Sequence, residues 1–184
     1  MRGSLPETQA YGPVAKAFHW LILALLAAQF AVGWLMPDIK RGMQPESLMN
    51  LHLSIGLTIL ALMTLRAAWR LGHGVPPPEP SLPPWQRIAA AWVHLALYVL
   101  VLALTVSGWM FASMRGWTIT LFGLMPVPRL VAEDSALGRA VGELHIPLSW
   151  VLLGAVGLHV TAALAHAFIF RDGVMQRMLP ALRW

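Results

Sequence analysis

The chain has 184 residues, of which 58% are hydrophobic and 11% charged, and its mean hydropathy of +0.64 is too high for a soluble domain of this length. It contains no cysteine, which excludes disulfides and thiolate-ligated iron–sulfur clusters. The net charge is +5, but the basic residues are scattered singly at predicted helix ends, so nucleic-acid binding is not indicated. The composition indicates a membrane protein.

Four apolar runs are long enough to cross a bilayer, which takes about 20 helical residues. They cover roughly residues 16–36, 51–70, 88–112 and 145–170. We predict an all-α, four-helix integral membrane bundle in which the whole chain, 1–184, is one domain. No export pattern precedes the first run and further spans follow it, so we expect it to be retained in the mature protein.

The distribution of Lys and Arg predicts the orientation of the bundle. The termini and the second loop hold eight of these residues, and the first and third loops hold five. By the positive-inside rule both termini are predicted to be cytoplasmic, in a bacterial inner membrane. The eight are Arg2, Lys16, Arg66, Arg70, Arg87, Arg171, Arg177 and Arg183, and the five are Lys40, Arg41, Arg115, Arg129 and Arg139.

Six of the seven histidines lie inside the predicted spans. His145 and His159 on the fourth span are 14 residues apart, which in a helix is about 21 Å along the axis and within about 40° of the same face. His52 is the other intramembrane histidine on the outer side, so we predict that it pairs with His145. For His159 the inner-side candidates are His19 and His94, and depth does not choose between them. Paired imidazoles at two depths are typical of a cytochrome with two b haems, which are held without a covalent link.

The same 14-residue interval separates these histidines from small or basic residues. Gly33 and Gly108 follow the two inner candidates by 14 residues, and Arg66 follows His52 by the same number. A glycine would let a macrocycle approach the backbone, and an arginine near the inner site could pair with a haem propionate. Each glycine also has a purely structural interpretation, since glycine is common at helix contacts in membranes.

Two further features lie near the ends of the spans. His166 follows His159 by 7 residues, on a similar face but nearer the cytoplasm, where it could donate to a quinone carbonyl or could simply be an end residue that reaches the interface. The third loop, about 113–142, is the longest, and its apolar stretch 117–128 is predicted to lie in the interface as a short lid over the outer site. The proline-rich second loop, 75–84, is predicted to be an extended connector.

Several of these segments carry the pattern of a known family. The chain resembles the bacterial cytochrome b561 family, and the resemblance covers nearly all of it. The matching motifs are Phe18-His19-Trp20, Leu51-His52-Leu53-Ser54-Ile55-Gly56, His94-Leu95-Ala96-Leu97-Tyr98, Phe122-Gly123-Leu124-Met125-Pro126 and Gly157-Leu158-His159-Val160-Thr161-Ala162-Ala163-Leu164-Ala165-His166.

The resemblance implies a function and a set of ligands. It implies two b haems, an outer one on His52 and His145 and an inner one on His19 and His159. It further implies a ubiquinone site lined by His94 and His166, and activity as a superoxide:ubiquinone oxidoreductase.

Two other classes of protein must be compared with this function. One is a cytochrome b subunit that relays electrons from the catalytic subunit of a larger dehydrogenase or hydrogenase. A histidine-rich metal transporter is disfavoured because acidic residues are absent from the middles of the spans. A basic outer face would attract an anionic donor such as superoxide, but five acidic residues offset the five basic ones there. They are Asp38, Glu46, Glu133, Asp134 and Glu143.

Overall fold

The computed structural model describes residues 10–40 and 42–179. Within these residues four helical segments are long and apolar enough to cross a membrane, which confirms the predicted all-α membrane bundle. They are α1 (Pro13–Leu35), α2 (Ser47–His73), α3 (Pro84–Met114) and the pair α4 (Ala136–Gly142) and α5 (His145–Ala165), which continues as the π-helical turn His166–Phe170. Arg2, Arg41 and Arg183, which entered the charge count, lie outside the described residues, as do both ends of the predicted domain.

Proline and glycine set the ends of the helices. Pro13 and Pro84 are the first residues of α1 and α3, where the missing N–H costs no hydrogen bond. Helix α2 ends at His73 and is followed by the capping residue Gly74, whose φ of 70° favours glycine. Helices α2 and α3 extend a few residues beyond the predicted spans at both ends, because hydropathy detects the part of a helix in hydrocarbon and not its continuation through the headgroups.

A short break at residues 143–144 separates α4 from α5. Pro147 explains it, since a proline has no N–H to donate to the carbonyl four residues earlier and its ring crowds that carbonyl. The break makes His145 the first residue of the spanning helix α5.

The bundle packs α1 against α2, α2 against α3 and α3 against α5. Its central core contains one or more buried residues from each of these helices, including Ile22, Ile59, Val101 and Leu152. Many large apolar side chains point outward instead, among them Leu65, Val99 and Leu158, as expected where lipid is the solvent. We call the end of the bundle that holds His52 and His145 the outer end, and the opposite end the inner end.

The third loop contains a hairpin that the sequence did not predict. Strand β1 (Ile119–Leu121) pairs antiparallel with β2 (Met125–Val127), and strands of three residues are too short to show a period-2 pattern. Trp117 and Ile119, at its base, are buried in a second apolar cluster at the outer end. The predicted lid segment is therefore this hairpin, packed on α2.

Candidate functional site

The outer end holds a close pair of histidine rings. The ring centroids of His52 and His145 are 6.2 Å apart, and the ring planes are nearly perpendicular, at 79°. Nδ1 of His145 lies 3.0 Å from the Leu104 carbonyl oxygen and 3.2 Å from Ser107 Oγ. Since the carbonyl can only accept, Nδ1 carries the proton, and Nε2 is left with the lone pair that a metal requires.

His52 is held differently. Its Nδ1 is buried and has no hydrogen-bond partner in residues 10–40 and 42–179. Its backbone carbonyl accepts a hydrogen bond of 3.0 Å from Nε2 of Gln29 on α1. The ring lies against Gly33, where an added Cβ would be 3.4 Å from the His52 Cε1.

A cavity of about 570 Å³ surrounds the outer pair, a size typical of small-molecule sites. Four glycines on four helices line it, Gly33, Gly56, Gly108 and Gly142, and Trp117 and Ile119 of the lid line it as well. A Cβ on Gly108 would lie 2.7 Å from the His145 ring, so glycine is required there by close approach. The cavity is mainly apolar, as a macrocycle site should be.

A cluster of three histidine rings lies at the inner end. His159 lies 6.3 Å from His19 and 5.4 Å from His94 between ring centroids, so both sequence candidates reach it. Arg66 lies in the same cluster, with Nη2 3.5 Å from His19 Nδ1 and Cζ 5.4 Å from the centre of the Tyr98 ring. The arginine is thus at the inner depth that its spacing from His52 predicts.

The geometry of the pairs can be compared with that of a metal bound between two imidazoles. With a metal–nitrogen distance of about 2 Å on each side, and each nitrogen about 1 Å from its ring centroid, the two centroids are about 6 Å apart. The 6.2 Å of the outer pair and the 6.3 Å between His19 and His159 fit this value. The donor sets and the glycine-lined cavity are therefore suited to a bis-histidine haem.

His166 has a partner that sequence reasoning missed. Its Nδ1 lies 2.6 Å from Oδ2 of Asp172, and both side chains are largely buried. The other carboxylate oxygen accepts from the Val174 backbone N–H at 3.0 Å. The described residues contain no ring contact between His94 and His166, so the two predicted quinone residues are not in one stacked cluster.

The segment that follows Asp172 crosses the inner end. Lys16 Nζ donates to the Leu179 carbonyl at 2.8 Å, and Trp20 Nε1 donates to the Met178 carbonyl at 2.9 Å. Arg177 is buried and donates to the Pro77 carbonyl in the proline-rich loop. The C-terminal segment therefore lies over the start of α1, within one turn of His19.

The basic residues at the outer end differ in whether a carboxylate lies beside them. Arg129 lies 3.5 Å from Glu133 and Arg139 lies 3.9 Å from Asp134, so both are partly neutralised. Arg115 instead lies over the Trp117 ring of the lid, 5.2 Å from its centre, and donates to the Lys40 carbonyl. Arg41 is outside the described residues.

Sequence reasoning missed three polar residues of these sites. Gln29 is an uncharged polar residue in the middle of a span, a signal that could have identified it. Ser107 is detectable only from its contact with His145. In the sequence Asp172 looks like any charged residue that follows a membrane span. The chain brings it back to His166 through Arg171, whose φ is left-handed at 54°.

The four apolar helices define the class of protein, a multi-pass membrane protein, and its paired histidines are suited to holding haem. A family model described as prokaryotic cytochrome b561 matches residues 10–181. The chain is 34% identical over 172 residues to cytochrome b561 homolog 2 of Escherichia coli (strain K12), covering 93% of this chain and 92% of that protein. It is 30% identical over 173 residues to the probable superoxide oxidase CybB of Yersinia pestis, covering 94% and 97%.

The chain therefore belongs to the prokaryotic cytochrome b561 family, which confirms the resemblance. Membership makes it a membrane electron-transfer protein and implies a b-type haem.

The contact of Gly108 with His145 yields a test of the outer cavity. We expect Gly108→Ala to displace the His145 ring, because the new Cβ would be 2.7 Å from it, and to lower the haem-to-protein ratio of the purified protein. Gly154→Ala on α5 is the matched control, since nothing lies within 4 Å of its Cβ position. Equal haem content in both variants, measured by pyridine haemochromogen, would contradict the close approach.

Proposed function

We propose that the chain binds two b haems, one between His52 and His145 at the outer end and one between His19 and His159 at the inner end. The observation that carries the proposal is the presence of two histidine pairs at ligand separation, 6.2 and 6.3 Å, at the two depths of the bundle. The His94 and His159 ring centroids are 5.4 Å apart, less than in either of the two pairs, so we assign His94 beside the inner site and not as a haem ligand.

A haem at each pair would supply a one-electron ferric/ferrous couple. Helix α5 carries one proposed ligand of each haem, His145 and His159, about 21 Å apart along its axis. The two sites would therefore lie one above the other in the bundle. Buried apolar residues such as Ile59 and Leu152 fill the bundle between them and exclude water. We assign Arg66 to a propionate of the inner haem, because it is the guanidinium that reaches His19.

We propose superoxide as the electron donor at the outer end. The probable superoxide oxidase from Yersinia pestis, 30% identical, supports this chemistry. Arg115 supports it further, since its guanidinium lies over the Trp117 ring of the lid and no carboxylate is within ion-pair distance among the described residues. A cation at the entrance raises the encounter rate of an anion.

We propose ubiquinone as the acceptor at the inner end, on the cytoplasmic side. Two superoxide ions are oxidised to two dioxygen molecules, and ubiquinone takes up the two electrons and two protons to become ubiquinol. His94 and His166 are the candidate hydrogen-bond donors to its carbonyls. Asp172 orients His166 by accepting from its Nδ1–H, which leaves Nε2 to donate to a quinone carbonyl. A proton that His166 gives up there would be replaced from water on the cytoplasmic side.

Substitutions can distinguish the proposed haem ligand His19 from its neighbour His94. We expect His19→Ala to remove one haem of two, because the iron loses a ligand, whereas His94→Ala should keep both haems and lower the rate of ubiquinone reduction. Haem content and the reduced-minus-oxidised α-band measure the first effect. Loss of a haem from His94→Ala with retention in His19→Ala would reverse the assignment.

The donor is tested with purified protein, a superoxide generator and ubiquinone. We expect haem reduction and ubiquinol formation with no other protein present. Reduction that requires a partner dehydrogenase would instead favour the relay-subunit alternative.

The same assay can test whether Arg115 steers superoxide to the outer end. Arg115→Gln should lower kcat/KM for superoxide by about threefold to tenfold at low salt, because a steering charge is lost, and high salt should reduce the difference. Arg129→Gln is the matched control, since that guanidinium is already paired with Glu133. Equal effects of the two substitutions would refute a steering role for Arg115.

The role of Asp172 is tested by Asp172→Asn, which keeps a side chain of the same size without its charge. We expect kcat for ubiquinone reduction to fall by about tenfold or more, as when a positioned acid–base group is removed, while haem content and haem reduction by superoxide are unchanged. Asp134→Asn at the outer end is the control. A variant changed only in KM would assign Asp172 to quinone binding and not to orienting His166 for proton transfer.

A further inference from the structure

The turn of the lid hairpin exposes a patch of apolar side chains. Leu124 is 89% exposed, Phe122 is 53% exposed and Met125 is 56% exposed. No charged residue occurs between Gly116 and Arg129. A turn in water would be expected to carry polar residues, so the patch needs a partner.

The depth of the turn indicates which partner. Ser54 Oγ accepts from the Phe122 N–H at 2.9 Å and donates to the Thr120 carbonyl at 3.4 Å. Ser54 lies seven residues into α2, or about 10 Å along its axis. The 27 residues of α2 make it about 40 Å long, against about 30 Å of hydrocarbon. With α2 centred in the bilayer, Ser54 is about 5 Å inside the hydrocarbon boundary.

Three hydrogen bonds satisfy polar backbone groups of the turn at this depth. Irregular backbone survives in hydrocarbon only where its polar groups are satisfied. Ser54 is fully buried and satisfies two of them, and the Leu124 N–H donates to the Leu121 carbonyl at 3.0 Å. Phe122 and Gly123 both have positive φ, 49° and 73°, as in hairpin turns that favour Asn-Gly, yet a phenylalanine stands in the first position.

An open groove of about 230 Å³ joins the turn to the surface of α2. Its lining includes Leu51, which is 38% exposed, together with Phe122 and Gly123. The patch on the turn is therefore continuous with the lipid-facing side of a spanning helix.

We propose that residues 121–125 form a membrane anchor, whose partner is the acyl-chain region of the leaflet at the outer end. The anchor would fix the far end of the lid, while Trp117 and Ile119 at its near end line the outer cavity. This inference is independent of the electron donor and acceptor.

The absence of cysteine allows a direct test with single-cysteine variants in proteoliposomes. A nitroxide label on Leu124→Cys is compared with labels on Val99→Cys, 56% exposed in the middle of α3, and on Arg139→Cys, 58% exposed on α4. Accessibility to oxygen, which partitions into lipid, is measured against accessibility to a water-soluble nickel chelate.

We expect the oxygen-to-nickel accessibility ratio at Leu124 to approach that at Val99 and to be several times that at Arg139. A ratio equal to that at Arg139 would place the turn in water and overturn the proposal. Protection from both reagents, with dipolar coupling between labels, would show that a second copy of the chain covers the patch, which also overturns it. Met125→Cys is a second site should labelling at Leu124 disturb haem content.

Discussion

The architecture depends on two histidines fixed on one rigid helix. Because His145 and His159 are 14 residues apart on α5, both lie near one face, and their depths in the bundle are set by the helix rise alone. The other helices must then bring partners to those two levels. His52 does so near the start of α2, and in the proposed assignment His19 does so near the start of the antiparallel neighbour α1. The Pro147 break completes the constraint by making the outer histidine the first residue of the span.

This constraint explains which features were predictable from sequence. Depth is a one-dimensional property that apolar runs and helical rise determine, so the spans and the pairing of His52 with His145 could be predicted from spacing. The inner partner could not, because His19 and His94 enter from the same end on different helices, and both contact His159. Lateral packing between helices decides such a choice, and hydropathy contains no information about it.

The remaining features depend on contacts between distant parts of the chain. The hairpin turn needs Ser54 of α2 to satisfy its backbone, and the Asp172 contact needs a left-handed residue after the π-helical turn. Neither leaves a periodic pattern in the sequence. Gln29 is the exception, since a polar side chain in the middle of a span is expensive in hydrocarbon and therefore predicts a partner, here the carbonyl of a candidate ligand.

The two ends of the bundle impose different limits on what can exchange electrons there. At the outer end a buried tryptophan and isoleucine of the lid line the cavity and pack in an apolar cluster, so a large carrier that approached from the lid side would have to displace the hairpin. A small anion would not. At the inner end the covering element is the C-terminal segment, which is held by hydrogen bonds to Lys16, Trp20 and the Pro77 carbonyl. The outer cover is thus held by apolar packing, and the inner cover by hydrogen bonds that join the C-terminal segment to the start of α1 and to the proline-rich loop.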